Sequence, residues 1–579
     1  MDIHQEFTDR IRPTVDKPHV DLPFKPNINS CQEWSDSLPI LNPQTTAEMM
    51  SDAAQGLLSI DIDGIKKFDL LETIKPVITK LLSTCIEATE NANLPLINKL
   101  SELSSTTLQV LSNTLSVYIE IACSPNFVIE DTPKRKVGSK KLLSSKQKAI
   151  VLHRSIELLG MIQLLKSLLY VQVGNIFWNE TNALFSLAEK LNLHQNQQVA
   201  FNGNTTTIED EFKKIHFFHL AQPNRFRQRD INTIQRILSL HVGNISISHV
   251  HEKLAGFYID LSSSSGISIV PDLLSDNGHY RFLNNGELVS FLQSNQVIAP
   301  EKQSSISLVS DNPILPKQTI NQLLPSWSIP KNRKTPRHDQ TEEILVYPGF
   351  NSILKALILK KNPDYFNKEN ILNSFDIENL DLVPLDEHQQ SKSLASEFDI
   401  HRAFKATAKK PLSSNDIWEN NSSIKHGEKG EMMEAESSNA SLQGLCFQVS
   451  TDNKPLLRAN DLIGTQSKNG TLHLAIIRRL NRDKNGDITV GVEVMSATPK
   501  IAYITFHDKE RSPVPAIFIQ GAPSDKQSDS IITPLLLKGM YENITIKLTD
   551  KTNNYRIDSI FETNLIFTRY NVLKLAGID

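Results

Sequence analysis

Two Asn-Gly pairs, at 469–470 and 485–486, interrupt an apolar-alternating stretch, "GTQSKNGTLHLAIIRRLNRDKNGDITVGVEVMSA". Leu472, Leu474 and Ile476 alternate after the first pair, and Ile488, Val490, Val492 and Val494 after the second. Asn and Gly tolerate the positive φ angles of a two-residue hairpin turn, while a period of two gives each strand one apolar face. A helix satisfies neither requirement, so the stretch predicts consecutive antiparallel strands. More strand-like runs follow: "AYITFH", "PAIFIQG", "ENITIKLTD", "YRIDSIFE" and "NLIFTRY". Short strands joined by tight turns predict a small antiparallel barrel or sandwich at the C-terminal end.

The rest of the chain has a different period. A length of 579 residues exceeds one ordinary core and implies several domains. Residues 1–45 are polar and proline-bearing, and read as a flexible lead-in, carrying Trp34, able to dock locally. Phe68, Leu71, Ile74, Ile78, Leu81 and Cys85 recur at three and four residues, one face of a helix that Pro76 is expected to kink or restart. "INKLSELSSTTLQVLSNTLSVYIEIA" predicts a second helix, and Leu158, Ile162, Leu165 and Leu169 mark a third. "HFFHLAQPNRFRQRDINTIQRIL" closes the helical region, with Pro223 breaking one helix and Asp230 or a neighbour capping the next. The expected fold is α+β and multidomain. An α-helical bundle over 46–243 follows the lead-in; then come a small mixed segment and linker over 244–330 and an antiparallel β-barrel domain over 331–579. That last domain holds a polar insertion at about 351–435, largely disordered by composition, with one helical piece, "NSILKALILKK".

Charge and motifs exclude several function classes. A net charge of −4 argues against general affinity for nucleic acid or an anionic membrane. Cys31, Cys85, Cys123 and Cys446 are scattered without C-x-x-C spacing, which reads as reduced thiols and neither a disulfide framework nor a zinc site. The polar N-terminus has no secretory pattern, and "SIELLGMIQLLKSLLYVQVGNIFW" carries Glu157 and Lys166, so it reads as an amphipathic or buried helix and not a membrane span. A cytoplasmic protein is expected. G-x-S-x-G, Walker and H-E-x-x-H motifs are missing from the sequence, so the reading is non-enzymatic. His216 and His219 read as a packed helical pair without metal, and Phe177 and Trp178 as core. Arg225, Arg227 and Arg229 read as a salt-bridged connector, and Arg478, Arg479 and Arg482 as the solvated end of a strand near a hairpin, with a ligand contact there as the alternative.

Two short polar patterns remain. "RKTPR" places Arg333 and Arg337 four apart in a proline-containing loop before the strand-like "EEILVYPGF". "NASLQG" places Asn439, Ser441 and Gly444 just before the apolar "LCFQV". Arg-x-x-x-Arg, then [DN]-x-S-x-x-G, then a barrel pattern with an arginine-ending strand, a hairpin and a "GVE" strand, resembles the PilZ domain, the bacterial cyclic di-GMP receptor. The helical portion is similar to N-terminal regions of large gammaproteobacterial proteins that end in such a domain. In PilZ domains the two motifs lie a few tens of residues apart; here about a hundred intervene. The insertion must therefore leave from a barrel loop and return to the next strand, at little closure entropy.

The resemblance implies a cyclic di-GMP receptor with no other cofactor. Arg333 and Arg337 would clamp phosphate and guanine, because a guanidinium donates in pairs to phosphate oxygens or to guanine O6 and N7. Asn439 and Ser441 would bond guanine edges, and Gly444 would let the base approach the backbone. Binding would rearrange domains and regulate an unidentified protein partner, with an oligomer compatible with the sequence. The alternative is an interaction scaffold whose degenerate PilZ barrel binds no nucleotide and whose helices recruit partners.

Overall fold

The computed structural model describes residues 3–11, 20–90, 92, 94, 96–124, 127, 143–252, 255–271, 278–298, 305–307, 314–328, 338–361, 432–441, 444–449, 457–467, 470–483, 486–506, 513–521, 528–534, 537, 541–548, 551–563 and 567–575. The chain divides into two compact units, Met1–Asn332 with Asn481–Asp483, and Arg333–Leu480 with Lys484–Asp579.

The first unit opens with helices α1 (Ile3–Ile11), α2 (Ile28–Asp36), α3 (Pro43–Ser59), α4 (Gly64–Glu90), α5 (Asn98–Ala122), α6 (Ser145–Leu168) and α7 (Asn175–Lys190). A small hairpin, β1 (Gln198–Val199) and β2 (Thr205–Thr206), precedes α8 (Ile208–Leu220) and α9 (Gln228–His241). Strands β3 (Ser246–Ser248), β4 (Phe257–Asp260), β5 (Ser268–Ile269) and β6 (Tyr280–Asn284) form a sheet in the order β3-β6-β4-β5. The unit continues with α10 (Gly286–Ile298), the paired β7 (Ser305–Ser307) and β8 (Ile314–Pro316), and α11 (Lys317–Leu323).

Within 1–45, α1 and α2 are helical and bury Phe7, Ile11 and Cys31, and Phe24 packs on Trp34 at 5.0 Å. Helices of nine residues are marginal alone, so these contacts and not composition decide their order. Pro76 does not restart α4: the helix runs through it, with the ring on the exposed side. Asp230 lies in the first turn of α9, and Arg227 occupies the N-cap without a side-chain cap.

Helix α6 is buried on almost every side, as a helix apolar all round must be. It begins at a capping box, Ser144 with Gln147. Its buried charges are paired: Arg154 donates from Nε to Glu72 Oε1 (3.1 Å) and from Nη1 to Glu157 Oε2 (3.0 Å). The Tyr118 hydroxyl donates to Glu72 Oε1 at 2.9 Å, and the Phe201 amide to Glu157 Oε1 at 2.6 Å. Unpaired, such charges would carry their full desolvation cost. His216 is fully buried, its ring 5.2 Å from Trp178 and 4.5 Å from Phe212. Its Nδ1 accepts from the Ile267 amide at 3.2 Å, and His219 lies 4.8 Å from Trp178.

In the second unit, β9 (His338–Pro348) leads into α12 (Gly349–Lys361), and β10 (Met433–Ser441), β11 (Gly444–Val449), β12 (Leu462–Ser467), β13 (His473–Arg482) and β14 (Ile488–Ser496) follow. These strands close a barrel in the order β10-β11-β14-β13-β12-β9. The helical piece read inside the insertion is α12, whereas most of the insertion, residues 362–431, lies outside the described residues.

The C-terminal half is antiparallel and barrel-forming as expected, but the single barrel read over 331–579 is two, because the strands from Lys500 onward close on one another. They are β15 (Lys500–Phe506), β16 (Val514–Ile519), β17 (Ser530–Thr533), β18 (Asn543–Leu548), β19 (Thr552–Thr563) and β20 (Thr568–Lys574), ordered β15-β16-β17-β20-β19-β18. With strands counted from each barrel's own first, both circuits read first, second, third, sixth, fifth, fourth. The second barrel's interior is apolar, built from Ile504, Phe518, Ile531, Ile546, Ile557 and Val572 among others.

A shared core joins α12 to both barrels. Phe350, Ile353 and Leu357 of the helix pack with Leu462, Leu474 and Ile476 of the first barrel and Ile501, Ile517 and Ile532 of the second. The helix packs over Gly464, where a Cβ would lie 3.0 Å from Leu472 Cδ1 and 3.3 Å from Ile353 Cγ1.

Gly464→Val should therefore destabilise the second unit by about 1–3 kcal/mol through overpacking. An unchanged urea midpoint would refute that packing. Burial also holds His216 well below its ordinary value of 6.5. Its neutral form is the folded form, so its share of stability is fully present above 6.5 and is lost as pH falls toward the depressed folded-state value. The expected loss is about 1.4 kcal/mol for each pH unit in that window. His216→Phe should flatten the pH dependence of urea stability followed by tryptophan fluorescence; an equally steep profile would refute the assignment.

Candidate functional site

The polar pattern Asn439-x-Ser441-x-x-Gly444 straddles a hairpin. Asn439 and Ser441 end β10, and Gly444 opens β11 directly opposite Ser441. The register shifts between Ser437 and Asn439, a bulge that re-aims the end of β10. Before the bulge, Ser437 points inward, is buried, and accepts from the Glu342 amide at 3.0 Å. After it, Asn439 pairs with Cys446 and Ser441 with Gly444.

Paired residues in an antiparallel ladder project to one side, and the side alternates along each strand. Phe447, Val449, Val490 and Val492 are buried and line the barrel interior, whereas Gln448 and Glu493 are exposed. Asn439, Ser441, Gly444, Gly491 and Glu493 consequently share the outer face. Ser441 Oγ donates to the Gly444 carbonyl at 3.3 Å, and Ser438 Oγ donates to the Cys446 carbonyl at 3.3 Å. The Asn439 side-chain amide is half-buried and bonds to no other described residue, so its donors and acceptor stay open outward. At Gly444 a Cβ would sit 3.1 Å from the Val492 carbonyl oxygen and 3.5 Å from Ser441 Oγ, so glycine keeps this surface flat.

Arg333 and Arg337 lie outside the described residues. The strand that follows them does not. β9 begins at His338, which pairs with Ala440, the residue between Asn439 and Ser441; Asp339 pairs with Asn439. The long insertion departs after α12 and returns at β10, so the strand before it and the strand after it are ladder neighbours.

The arginines of β13 are not simply a solvated strand end. Arg478 donates from Nε to Glu493 Oε2 at 2.7 Å and from Nη1 to Glu562 Oε1 at 3.2 Å, an ion pair to each barrel. Arg479 lies over Gly491 on the outer face. Nothing in the sequence separates these adjacent arginines, because their partners come from other strands. In the second barrel, the corresponding hairpin runs from Ile519 to its partner Ser530. Its nearby carboxylate, Asp529, accepts from the Gly521 amide at 2.8 Å and the Tyr555 hydroxyl at 3.2 Å, leaving it occupied within the barrel.

Among the described residues, no group of three or more His, Cys, Asp or Glu side chains could hold a metal ion, and no helix is long and apolar enough to cross a membrane. Arg225, Arg227 and Arg229, between α8 and α9 and at the start of α9, all have interaction partners.

Comparison with known families gives two matches. Residues 29–252 match the family described as cyclic-di-GMP receptor FimW, N-terminal domain, and residues 273–500 match cyclic-di-GMP receptor FimW, middle PilZ domain. The second match ends where β15 begins, so the first barrel lies within it and the second barrel after it. No curated protein and no solved structure matches the chain.

Proposed function

Because the chain belongs to the FimW family of cyclic-di-GMP receptors, we propose that it binds cyclic di-GMP on the outer face of its first barrel. Asn439, Ser441 and Gly444 supply the barrel side of the site, and Arg333 and Arg337 the clamp. One observation carries this reading: the β9–β10 register sets His338 opposite Ala440. Arg337 precedes His338 in the sequence, and consecutive Cα atoms are about 3.8 Å apart, which supports pairing the arginine motif with Asn439 and Ser441. The same register supports pairing the motifs across the hundred intervening residues. Asn439 with open hydrogen-bonding capacity suits a guanine edge, and two guanidinium groups suit a dianion bearing two guanines.

The same segment suggests how binding is transmitted. One of the points where the chain passes between the two units falls between Asn332 and Arg333, next to the clamp residues in sequence. A ligand held by Arg333 and Arg337 would fix that point, change the relation of the helical unit to the barrels and alter access for a protein partner. The proposed protein is thus a cytoplasmic, non-enzymatic effector.

Calorimetric titration of the full chain with cyclic di-GMP, with GTP and cyclic di-AMP as controls, tests the reading. Selective binding is expected. Arg337→Ala should weaken it by about 30-fold or more, equivalent to about 2 kcal/mol for a charge pair losing one member. Folded wild-type protein that ignores cyclic di-GMP would leave the barrel as a scaffold; unchanged affinity in the variant would remove Arg337 from the site.

A further inference from the structure

The β1–β2 hairpin of the first unit depends on its surroundings to stay formed. It has two rungs, Gln198 with Thr206 and Val199 with Thr205, and a lone hairpin of that size is marginal in water. Its attachment comes from the helices it lies on. Phe201, in the turn, is buried, with its ring 5.0 Å from the Arg154 guanidinium of α6 and 5.8 Å from the Lys75 ammonium of α4. The Phe201 amide donates to Glu157 Oε1 of α6 at 2.6 Å. Thr206 Oγ1, at the end of β2, lies 2.8 Å from His153 Nε2 of α6 and 2.9 Å from Glu211 Oε1 of α8.

Matching donors to acceptors locates a proton in this cluster. Glu211 Oε1 accepts from Lys214 Nζ at 2.6 Å, and a carboxylate only accepts, so the Thr206 hydroxyl gives Glu211 its single proton. Thr206 Oγ1 then accepts from His153, which fixes that ring as the Nε2–H tautomer and makes Nδ1 an acceptor. His153 is fully buried, and its Nδ1 makes no hydrogen bond among the described residues. Glu157 Oε2 faces it at 3.5 Å. A proton on Oε2 supplies the missing donor while Oε1 goes on accepting from Phe201. The neighbouring charges leave room for it. Arg154 bonds Glu72 through Nε and Nη2, at 3.1 and 3.4 Å, as well as Glu157 through Nη1. Lys75 lies 3.8 Å from Glu72, which also accepts from the Tyr118 hydroxyl of α5, and Lys214 is engaged by Glu211.

We propose that Glu157 and His153 form a proton-operated latch for the β1–β2 hairpin: a proton held between Glu157 Oε2 and His153 Nδ1 fastens Phe201 and Thr206 to α6 and α8, and its loss loosens the hairpin. Nothing in this depends on the nucleotide site. Burial sets the working range. Desolvation, with the Glu211 charge adding to it, raises the Glu157 carboxyl from 4.5 to about 7 against the opposing pull of Arg154, the Phe201 amide and Lys214. His153 moves the other way, down to about 3, through burial and the charges of Arg154, Lys214 and Lys75, so it stays a neutral acceptor. An opened hairpin returns the Glu157 carboxyl toward water and its ordinary value. The closed hairpin therefore binds the proton more tightly than the open one. Its advantage is complete below 4.5 and is lost as pH rises to about 7.

The test is amide hydrogen exchange of the full chain over a pH series spanning that window, corrected for intrinsic exchange and read on residues 198–206 with α5 as the internal reference. Opening of the wild-type hairpin should increase about tenfold for each pH unit up to about 7 and then level off. Glu157→Gln copies the protonated carboxyl, since its carbonyl accepts from Phe201 and its amide donates to His153 Nδ1. That variant should keep the hairpin equally protected at every pH. Thr206→Val, at a half-buried position, releases the His153 tautomer and should flatten the profile with the helices still folded. Wild-type protection that does not change with pH overturns the latch, and so does a Glu157→Gln chain as pH-sensitive as wild type. If Glu157→Gln melts early, infrared difference spectra of the wild type decide in its place. A buried protonated carboxyl band that disappears over the same pH window is expected, and its absence overturns the proposal.

Discussion

The pairing of β9 with β10 is the constraint on which the barrel half of this protein depends. β9 is bonded on one side to β10 and on the other to β12, so it closes the first barrel. Removing either ladder would leave an open sheet edge, the usual liability of β proteins. The two strands are adjacent in space although α12 and residues 362–431 separate them in sequence. Closure entropy rises only with the logarithm of loop length, so the ladder tolerates that separation, and the register then fixes which residues meet.

The same insertion begins with a structural element. α12 leaves β9 at once and lies over β12 and the second barrel, burying Phe350, Ile353 and Leu357 in a core common to both barrels. At Gly464 a Cβ would crowd Leu472 and Ile353 of that core. Two barrels of identical circuit thus differ in surroundings more than in fold. In the first, the hairpin between the second and third strands keeps Asn439 open; in the second, Asp529 near the same hairpin is satisfied by Gly521 and Tyr555. A polar group engaged within its own barrel has little left to offer a ligand.

Polar accounting separates the structural from the candidate functional groups throughout. In α6, Arg154 is enclosed by Glu72 and Glu157, and Tyr118 and Phe201 complete the set. Those charges are spent on holding helices together. On the barrel face the balance is the reverse: Asn439 is half-buried and unengaged among the described residues.

Sequence by itself determined the local elements. Asn-Gly pairs within a two-residue alternation required antiparallel hairpins, and the periodic faces of α4 and α5 and the apolar length of α6 required packed helices. It also supplied the residue types of the two polar motifs. The tertiary structure decided what depends on partners distant in the chain. Short helices α1 and α2 become ordered by burying Phe7 and Cys31, and Pro76 is tolerated because its ring faces outward. A list of strands does not say where one barrel closes and another starts, since closure is a matter of hydrogen-bond partners and not of strand propensity. Nor can adjacent arginines be told apart until β14 and β19 bring Glu493 and Glu562 to one, and Gly491 lies beneath the other. Periodicity is a property of neighbours along the chain, while a binding face is a property of neighbours across it, and only folding makes the second from the first.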